Sequence, residues 1–275
     1  MSGKLYVVGT PIGNLSDFSP RAVETLASVD FIAAEDTRVT LKLLNHFEIK
    51  KPMVSYFEHN RRERGEIILE RIKSGESCAI VTDAGMPAIS DPGEDLVNLC
   101  LSNGIAVESV PGPTAFATAV AMSGLPSGRF TFEGFLSVNK PSRREHLEEI
   151  VSERRTMVFY EAPHKLTATL KDLYKYLGDR RIALIKELTK IHETVERTTL
   201  SEACEKYSAQ APKGEFVIVI EGSAEPKQKE VSLDEAVALA KRLVENGMAI
   251  NDAAKEIAKE TKLKKGDIYK ALLGE

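Results

Sequence analysis

Three apolar runs in the first 110 residues stop abruptly at segments rich in Gly, Pro and Asp. Residues 5–8 precede Gly9-Thr10-Pro11-Ile12-Gly13, residues 78–81 precede Thr82-Asp83-Ala84-Gly85-Met86-Pro87, and residues 106–110 precede Pro111-Gly112-Pro113. With the runs at 31–34 and 53–56 they predict five strands, because β-branched and aliphatic residues give way to residues that force a turn. Between the strands the apolar spacing becomes helical. Ser19-Pro20 is an N-cap and first-turn pair for a helix reaching about Ser28. Residues 62–74 carry Ile67, Ile68, Leu69 and Ile72 and end near Gly75. Residues 94–102 carry Leu96, Val97, Leu99 and Leu101 and end at Asn103-Gly104. This alternation predicts an α/β fold with a mainly parallel sheet and crossover helices.

From Thr114 the alternation continues with a different texture. A helix over 114–123 is expected to bridge two units. Strands are predicted at 130–135, 156–160, 182–188, 194–198 and 216–221, and helices at 141–152, 165–176 and 201–208. Strands late in this unit are expected to pair antiparallel, giving a more mixed sheet. The polar stretch 223–230 reads as a linker. Beyond it Ser232-Leu233-Asp234-Glu235 is a capping box, Asn246-Gly247 a stop, Asn251 a cap for a second helix and Lys265-Gly266-Asp267 the start of a third. The expected organisation is an α/β domain over 1–113, a second α/β domain over 114–222, the linker, and a helix-turn-helix-like domain over 231–275. Lys262, Lys264, Lys265 and Lys270 cluster near its third helix, as nucleic-acid contact requires, whereas a plain helical capping or dimerisation element requires no such charge.

At 275 residues the chain can bury more than one core. Its net charge of −4 excludes a generally basic nucleic-acid coat, so any such role rests on local patches. Cys78, Cys100 and Cys204 form no CxxC pair, which indicates neither a zinc site nor a disulfide framework. No apolar run approaches the ~20 residues of a membrane-spanning helix, and Lys4 is followed at once by a strand rather than by a signal-peptide pattern. A cytoplasmic, reduced setting is expected.

The Gly/Pro segments have chemical as well as structural meaning. Gly9-Thr10-Pro11-Ile12-Gly13 fits neither the dinucleotide fingerprint nor the P-loop, and Leu15-Ser16-Asp17 does not look like a helix opening. Small residues in Asp83-Ala84-Gly85 let the backbone approach a ligand. Ser90-Asp91-Pro92-Gly93 is expected to cap the next helix, which is reason enough for Asp91. Thr114-Ala115 opens another helix, whose free N–H groups suit a carboxylate. Ligands of α/β proteins bind beyond the carboxyl ends of strands, so the three loops make one wall of a site.

Eight segments, in order and spanning nearly all of residues 5–222, carry a resemblance. They are VGTPIGNLSD from Val8, AEDTR from Ala34, VTDAGMPAISDPG from Val81, VPGPTA from Val110, FEGFL from Phe132, YEAPHKL from Tyr160, KELTKIHE from Lys186 and KGEFVIVIEG from Lys213. The chain resembles the tetrapyrrole methylase superfamily, the class III S-adenosylmethionine-dependent methyltransferases. Within it, the chain is most similar to the branch that methylates a cytidine ribose 2′-hydroxyl in small-subunit ribosomal RNA. The resemblance implies S-adenosylmethionine in a cleft between two α/β domains. Pro11, Asp83, Ala84, Gly85, Ala88, Thr114 and Ala115 would touch it from the first wall, and Glu161, Leu188 and Gly214 from the second. It also implies a homodimer, no metal, and ribosomal RNA or an assembled small ribosomal subunit as partner. Methylation of a small tetrapyrrole is the alternative on the same fold; AEDTR, YFEHN and the three-helix tail count against it.

A 2′-hydroxyl is a poor nucleophile, so a base would help. Glu35 and Asp36 follow the second strand at its carboxyl end and Lys186 follows the strand over 182–188; Glu58, Glu161 and Glu187 are further candidates. Asp36 is equally suited to capping the next helix, and Lys186 to binding phosphate. For RNA the candidates are Arg38, Tyr56 as a stacking face, His59, Arg61, Arg62, Lys140, Arg143, Arg144, Lys264 and Lys265. A solvated basic helix start explains Arg61 and Arg62 equally well.

Overall fold

A computed structural model describes residues 3–224, 232–261 and 263–273. Residues 225–231 of the expected linker and its border, and Lys262, lie outside the described residues. The chain divides into two compact units, Met1–Ser223 and Ala224–Glu275.

The first unit opens with Lys4–Val8 (β1), Pro20–Ser28 (α1), Phe31–Ala34 (β2), Thr37–His46 (α2), Met53–Ser55 (β3), Arg61–Lys73 (α3), Cys78–Val81 (β4), Glu94–Ser102 (α4) and Ala106–Val110 (β5). The five strands pair in parallel in the order β3-β2-β4-β1-β5. Every residue of β2 and β4 is buried, as expected of parallel strands covered on both faces. Phe31, Ile68, Leu69, Ile72 and Leu96 fill one side, and Phe18, Ala22, Leu26, Ile32 and Leu44 the other. Local chemistry sets the helix starts. Ser19 accepts the Ala22 N–H at 3.1 Å with Pro20 behind it, and Asp36 accepts the Arg38 N–H at 2.8 Å. Leu15–Asp17 does form a single 3-10 turn, because the Asn14 side chain accepts the Ser16 N–H at 3.0 Å.

The chain then crosses through Ala115–Ser123 (α5) into Phe130–Gly134 (β6), Lys140–Glu149 (α6), Thr156–Glu161 (β7), Pro163–Leu177 (α7), Arg181–Lys186 (β8), Thr194–Thr199 (β9), Leu200–Ala209 (α8) and Phe216–Ile220 (β10). The second sheet is mixed, in the order β6-β7-β10-β8-β9, with β6 and β7 parallel and the other pairs antiparallel. Although α5 follows β5 directly, it packs on the second sheet: Ala119 and Val120 are buried with Val158, Ala183, Ile185, Val217 and Val219. The two sheets therefore define two lobes whose junction is the turn before α5.

The second unit is Leu233–Glu245 (α9), Ile250–Thr261 (α10) and Lys265–Leu273 (α11). Ser232 and Glu235 form the expected capping box of α9. Asn251 lies inside the first turn of α10, which starts two residues earlier than a cap at that position allows. Ala236, Ala240, Ala254, Ile257 and Ile268 make its core, and Lys264, Lys265 and Lys270 are exposed. Among the described residues no helix is long and apolar enough to cross a membrane.

Candidate active site

Backbone bonds join the loops that follow β1, β4 and β5. The Thr10 N–H donates to the Gly85 carbonyl at 2.9 Å and the Gly85 N–H returns to the Thr10 carbonyl at 3.1 Å. The Thr10 hydroxyl donates to the Thr82 carbonyl at 3.1 Å, and the Gly9 N–H to the Val110 carbonyl at 3.0 Å. A Cβ on Gly9 would stand 2.7 Å from Gly112 Cα, so only glycine permits the approach of the first and third loops.

These loops form one wall of a cavity of about 290 Å³. Ile12, Ala84, Gly85, Thr114 and Ala115 face it from the first lobe or its junction with α5; Phe135, Tyr160, Glu161, Leu188 and Val217 face it from the second. The loop after β8 closes the cleft against the loop after β1, since a Cβ on Gly13 would meet Lys190 Cγ at 2.6 Å. Backbone strain collects at the same place. Ala88 and Ser90 (φ 66° and 62°), together with Glu187 and Thr189 (φ 54° and 63°), hold left-handed conformations in the two loops that border the cavity, at about 1–3 kcal/mol each.

Four carboxylates line the cavity: Asp91, Glu161, Glu187 and Glu215. Three have partners within the fold, Glu215 pairing with Lys190 Nζ at 3.2 Å. Buried Glu161 accepts the Ala162 N–H at 2.8 Å and the Thr169 hydroxyl at 2.5 Å. Glu187 accepts the Glu215 N–H at 3.1 Å and Lys190 Nζ at 3.4 Å, and the Glu215 N–H holds its pKa below the usual carboxylate range. Asp91 has no hydrogen bond or ion pair among the described residues. Burial, and then the negative charges of Glu35 and Asp83, push its pKa up to about 7. It does not cap α4, whose N-cap is Gly93 at φ 144° with no side-chain bond. A Cβ at Gly93 would meet the Ala88 nitrogen at 3.1 Å, so the loop closes on itself there and leaves Asp91 in the cavity wall. The capping role expected for Asp91 is thus corrected to a place in the site; the pattern Ser90-Asp91-Pro92-Gly93 suits both roles alike.

The chain matches the model of the tetrapyrrole (corrin/porphyrin) methylases over residues 4–204. A ribosomal RNA small subunit methyltransferase I of Synechocystis is 45% identical over 272 residues, 98% of each chain. Its namesake in Bacillus subtilis is 42% identical over 273 residues, 98% of this chain and 94% of that one. The chain belongs to the tetrapyrrole methylases, in the family of ribosomal RNA small subunit methyltransferase I. A family member from Thermotoga maritima is 48% identical over 220 residues, which is 80% of this chain but 99% of its own length. That relative is about as long as Met1–Ser223 alone. Solved structures of the wider family share the fold. The methyltransferase CobJ has a TM-score of 0.61 at 20% identity, over 81% of this chain and 95% of that one. A uroporphyrin-III C-methyltransferase from Thermus thermophilus, complexed with S-adenosylhomocysteine, has a TM-score of 0.56 at 18% identity, over 79% and 97%.

Of the residues that family resemblance marks for the cofactor, Ala84, Gly85, Thr114, Ala115, Glu161 and Leu188 line the cavity. Pro11, Asp83, Ala88 and Gly214 do not. Pro11 is buried; Asp83 turns back to accept the Asp36 N–H at 3.2 Å; Gly214 lies beneath Glu187, whose Oε1 would be 2.7 Å from a Cβ there. Of the expected bases, Glu161 and Glu187 line the cavity, whereas Glu35, Asp36, Glu58 and Lys186 do not. Glu35 accepts the Thr82 hydroxyl at 2.5 Å. Asp36 caps α2 and pairs with Arg38 at 2.6 Å, and those Arg38 bonds hold its pKa down at about 2; Lys186 ends β8 away from the lining.

Two RNA expectations are corrected. Tyr56 is buried against the core of the first lobe, its N–H bonded to the Ala34 carbonyl at 2.8 Å, so it offers no stacking face; the exposed aromatic there is Phe57. Arg143 is tied down by Asp172 at 2.8 Å and by Thr169 at 2.9 Å. Arg38, His59, Arg61, Arg62, Lys140 and Arg144 are exposed.

Proposed function

We propose that this protein transfers a methyl group from S-adenosylmethionine to the 2′-hydroxyl of a cytidine ribose in small-subunit ribosomal RNA. The reading is carried by similarity over 98% of both chains to a protein named for methylating that RNA. The cavity chemistry supports it. Asp91 is an uncompensated carboxylate in a largely apolar wall, suited to a ligand that brings positive charge. Thr114, at the start of α5, makes no side-chain cap; the Phe116 N–H donates to the Tyr160 hydroxyl at 3.0 Å, which leaves the Ala115 and Ala117 N–H groups of the first turn for a carboxylate. Gly85 lines the cavity, and a Cβ there would already touch Ile12 Cγ2 at 3.4 Å and Pro113 O at 3.5 Å, so its bare backbone is what a ligand would meet.

S-adenosylmethionine fits these residues: Asp91 would face its cationic end, Thr114 and Ala115 its carboxylate, and Ile12, Leu188 and Val217 its apolar surface. When bound, it supplies an electrophilic methyl group on a sulfonium. The chain's own contribution is positional. The joined loops fix one wall, the strained loop after β8 fixes the other, and holding the hydroxyl in line supplies much of the acceleration. Exposed Arg38, Arg61, Arg62, Lys140 and Arg144 supply cations for RNA phosphates and His59 a further polar contact, and Lys264 and Lys265 of the second unit supply more charge. The working form is a homodimer in the cytoplasm, which light scattering and cell fractionation test.

The decisive experiment incubates the protein and radiolabelled S-adenosylmethionine with small ribosomal subunits from cells lacking this gene. Label on one cytidine ribose, mapped by methylation-sensitive cleavage, supports the reading. Label absent from RNA despite cofactor binding overturns it and directs attention to a small tetrapyrrole acceptor.

A further inference from the structure

We infer that Phe135 and Ile89 form an apolar slot that grips the target nucleobase at the mouth of the cavity. The inference rests on the proposed RNA substrate and names side chains that read it. Both residues line the cavity, one from each lobe, yet both stay open to solvent: Phe135 is 56% exposed and Ile89 42%.

The fold takes specific steps to put them there. Strict alternation along β6 would send Phe132 and Phe135 to opposite faces of the sheet. Both rings nevertheless meet Tyr160, at centroid distances of 5.0 Å and 5.5 Å. The register of β6 against β7 shifts between Phe132 and Gly134, and Gly134 takes a left-handed φ of 64°. This bulge re-aims Phe135 toward the cleft, a use to which bulges beside active sites are put. On the other lobe, left-handed residues stand on either side of Ile89, at Ala88 and Ser90. A Cβ on Gly134 would lie 3.3 Å from Ser90 Oγ, so the two loops meet beside the opening.

A planar heteroaromatic ring is the ligand that suits an open aromatic face opposed by an aliphatic side chain. Two such rings are available, the adenine of the cofactor and a base splayed out of the RNA. The residues C-terminal to Phe135 favour the base. Exposed Val138 and Lys140 follow it within five residues of chain, so a cation able to meet a phosphate flanking a splayed nucleotide lies close in sequence to the ring.

The test compares wild type with Phe135→Ala, Phe135→Trp and Ile89→Ala. It measures methyl transfer to small subunits, S-adenosylmethionine affinity by calorimetry, and the fluorescence of an RNA carrying a fluorescent cytidine analogue at the target position. Phe135→Ala should raise KM for RNA about tenfold or more, as loss of a stacked base predicts. It should abolish analogue quenching and leave cofactor Kd within about twofold; Phe135→Trp should restore quenching. The ring is exposed, so the variant should fold, and circular dichroism checks that it does. A parallel loss of cofactor affinity would overturn the inference by assigning the slot to adenine. Unchanged transfer and quenching in Phe135→Ala would overturn it outright. If wild type itself labels no RNA, the proposed function fails and the inference falls with it, an outcome distinct from the other two.

Discussion

The Thr169 hydroxyl donates to the buried carboxylate of Glu161 at 2.5 Å and accepts from the Arg143 guanidinium at 2.9 Å. An arginine on α6 thus supports, through one hydroxyl on α7, the carboxylate that turns the chain at the cavity edge. Arg143→Ala should behave as a stability variant. Unfolding should show a loss of about 1–3 kcal/mol, since a half-satisfied buried network is left behind. RNA affinity at the stability-matched temperature should be unchanged. A selective loss of RNA binding without a fall in Tm would restore Arg143 to the RNA surface.

Asp91 makes a prediction about pH. Its carboxyl titrates at 3.8 by default and at about 7 in the fold. Between these values the folded state keeps a proton that the unfolded state has lost, so stability falls as pH rises from about 4 to 7 and levels off above. Asp91→Asn should lack that decline, as Tm measured across the window will show. A cation in the cavity reverses the burden on Asp91: cofactor binding at pH 7 should release about half a proton. Calorimetry in two buffers of different ionisation heat reads that number, and zero release would mean the cation sits elsewhere.

Gly85→Arg should abolish cofactor binding while the protein stays folded. The side chain would project into the cavity from a backbone at φ 89°, and holding a non-glycine residue there costs about 1–3 kcal/mol. Calorimetry and circular dichroism check the two halves of this statement. Retained affinity would move the cofactor away from the loop after β4.

Replacing Lys264 and Lys265 by alanine should weaken RNA binding without touching cofactor affinity. The salt dependence should flatten by about 0.7 in log–log slope for each lost phosphate contact. The Thermotoga relative, whose length is that of Met1–Ser223, makes the further point that methyl transfer should survive in this variant. Abolished transfer at saturating RNA would show a deeper role for the second unit.

Much of the fold was legible because local signals agreed. The Ser19-Pro20 start of α1 and the capping box before α9 are single-residue chemistries that tertiary context did not override. The bulge at Gly134 was not legible, because nothing in Phe132-Glu133-Gly134-Phe135 distinguishes a strand end from a shifted register. Tyr56 was misplaced for a related reason. It follows β3 directly, and the residue after a strand turns inward or outward according to what its side chain can pack on, here the core with Ile68, Leu69 and Leu96. Asp91 was hidden by an adequate local explanation, which the observed start of α4 at Glu94 removes.

The placement of β10 has a consequence for synthesis. It is the last strand of its sheet in the chain and the middle one in space, between β7 and β8. The parallel sheet has all its strands once Val110 has left the ribosome. The second sheet waits as two unjoined halves until Ile220 emerges, and until then β7 and β8 each present an unpaired edge to any neighbour that can hydrogen-bond to it. A nascent chain stalled before Phe216 would therefore carry one finished lobe and one adhesive one.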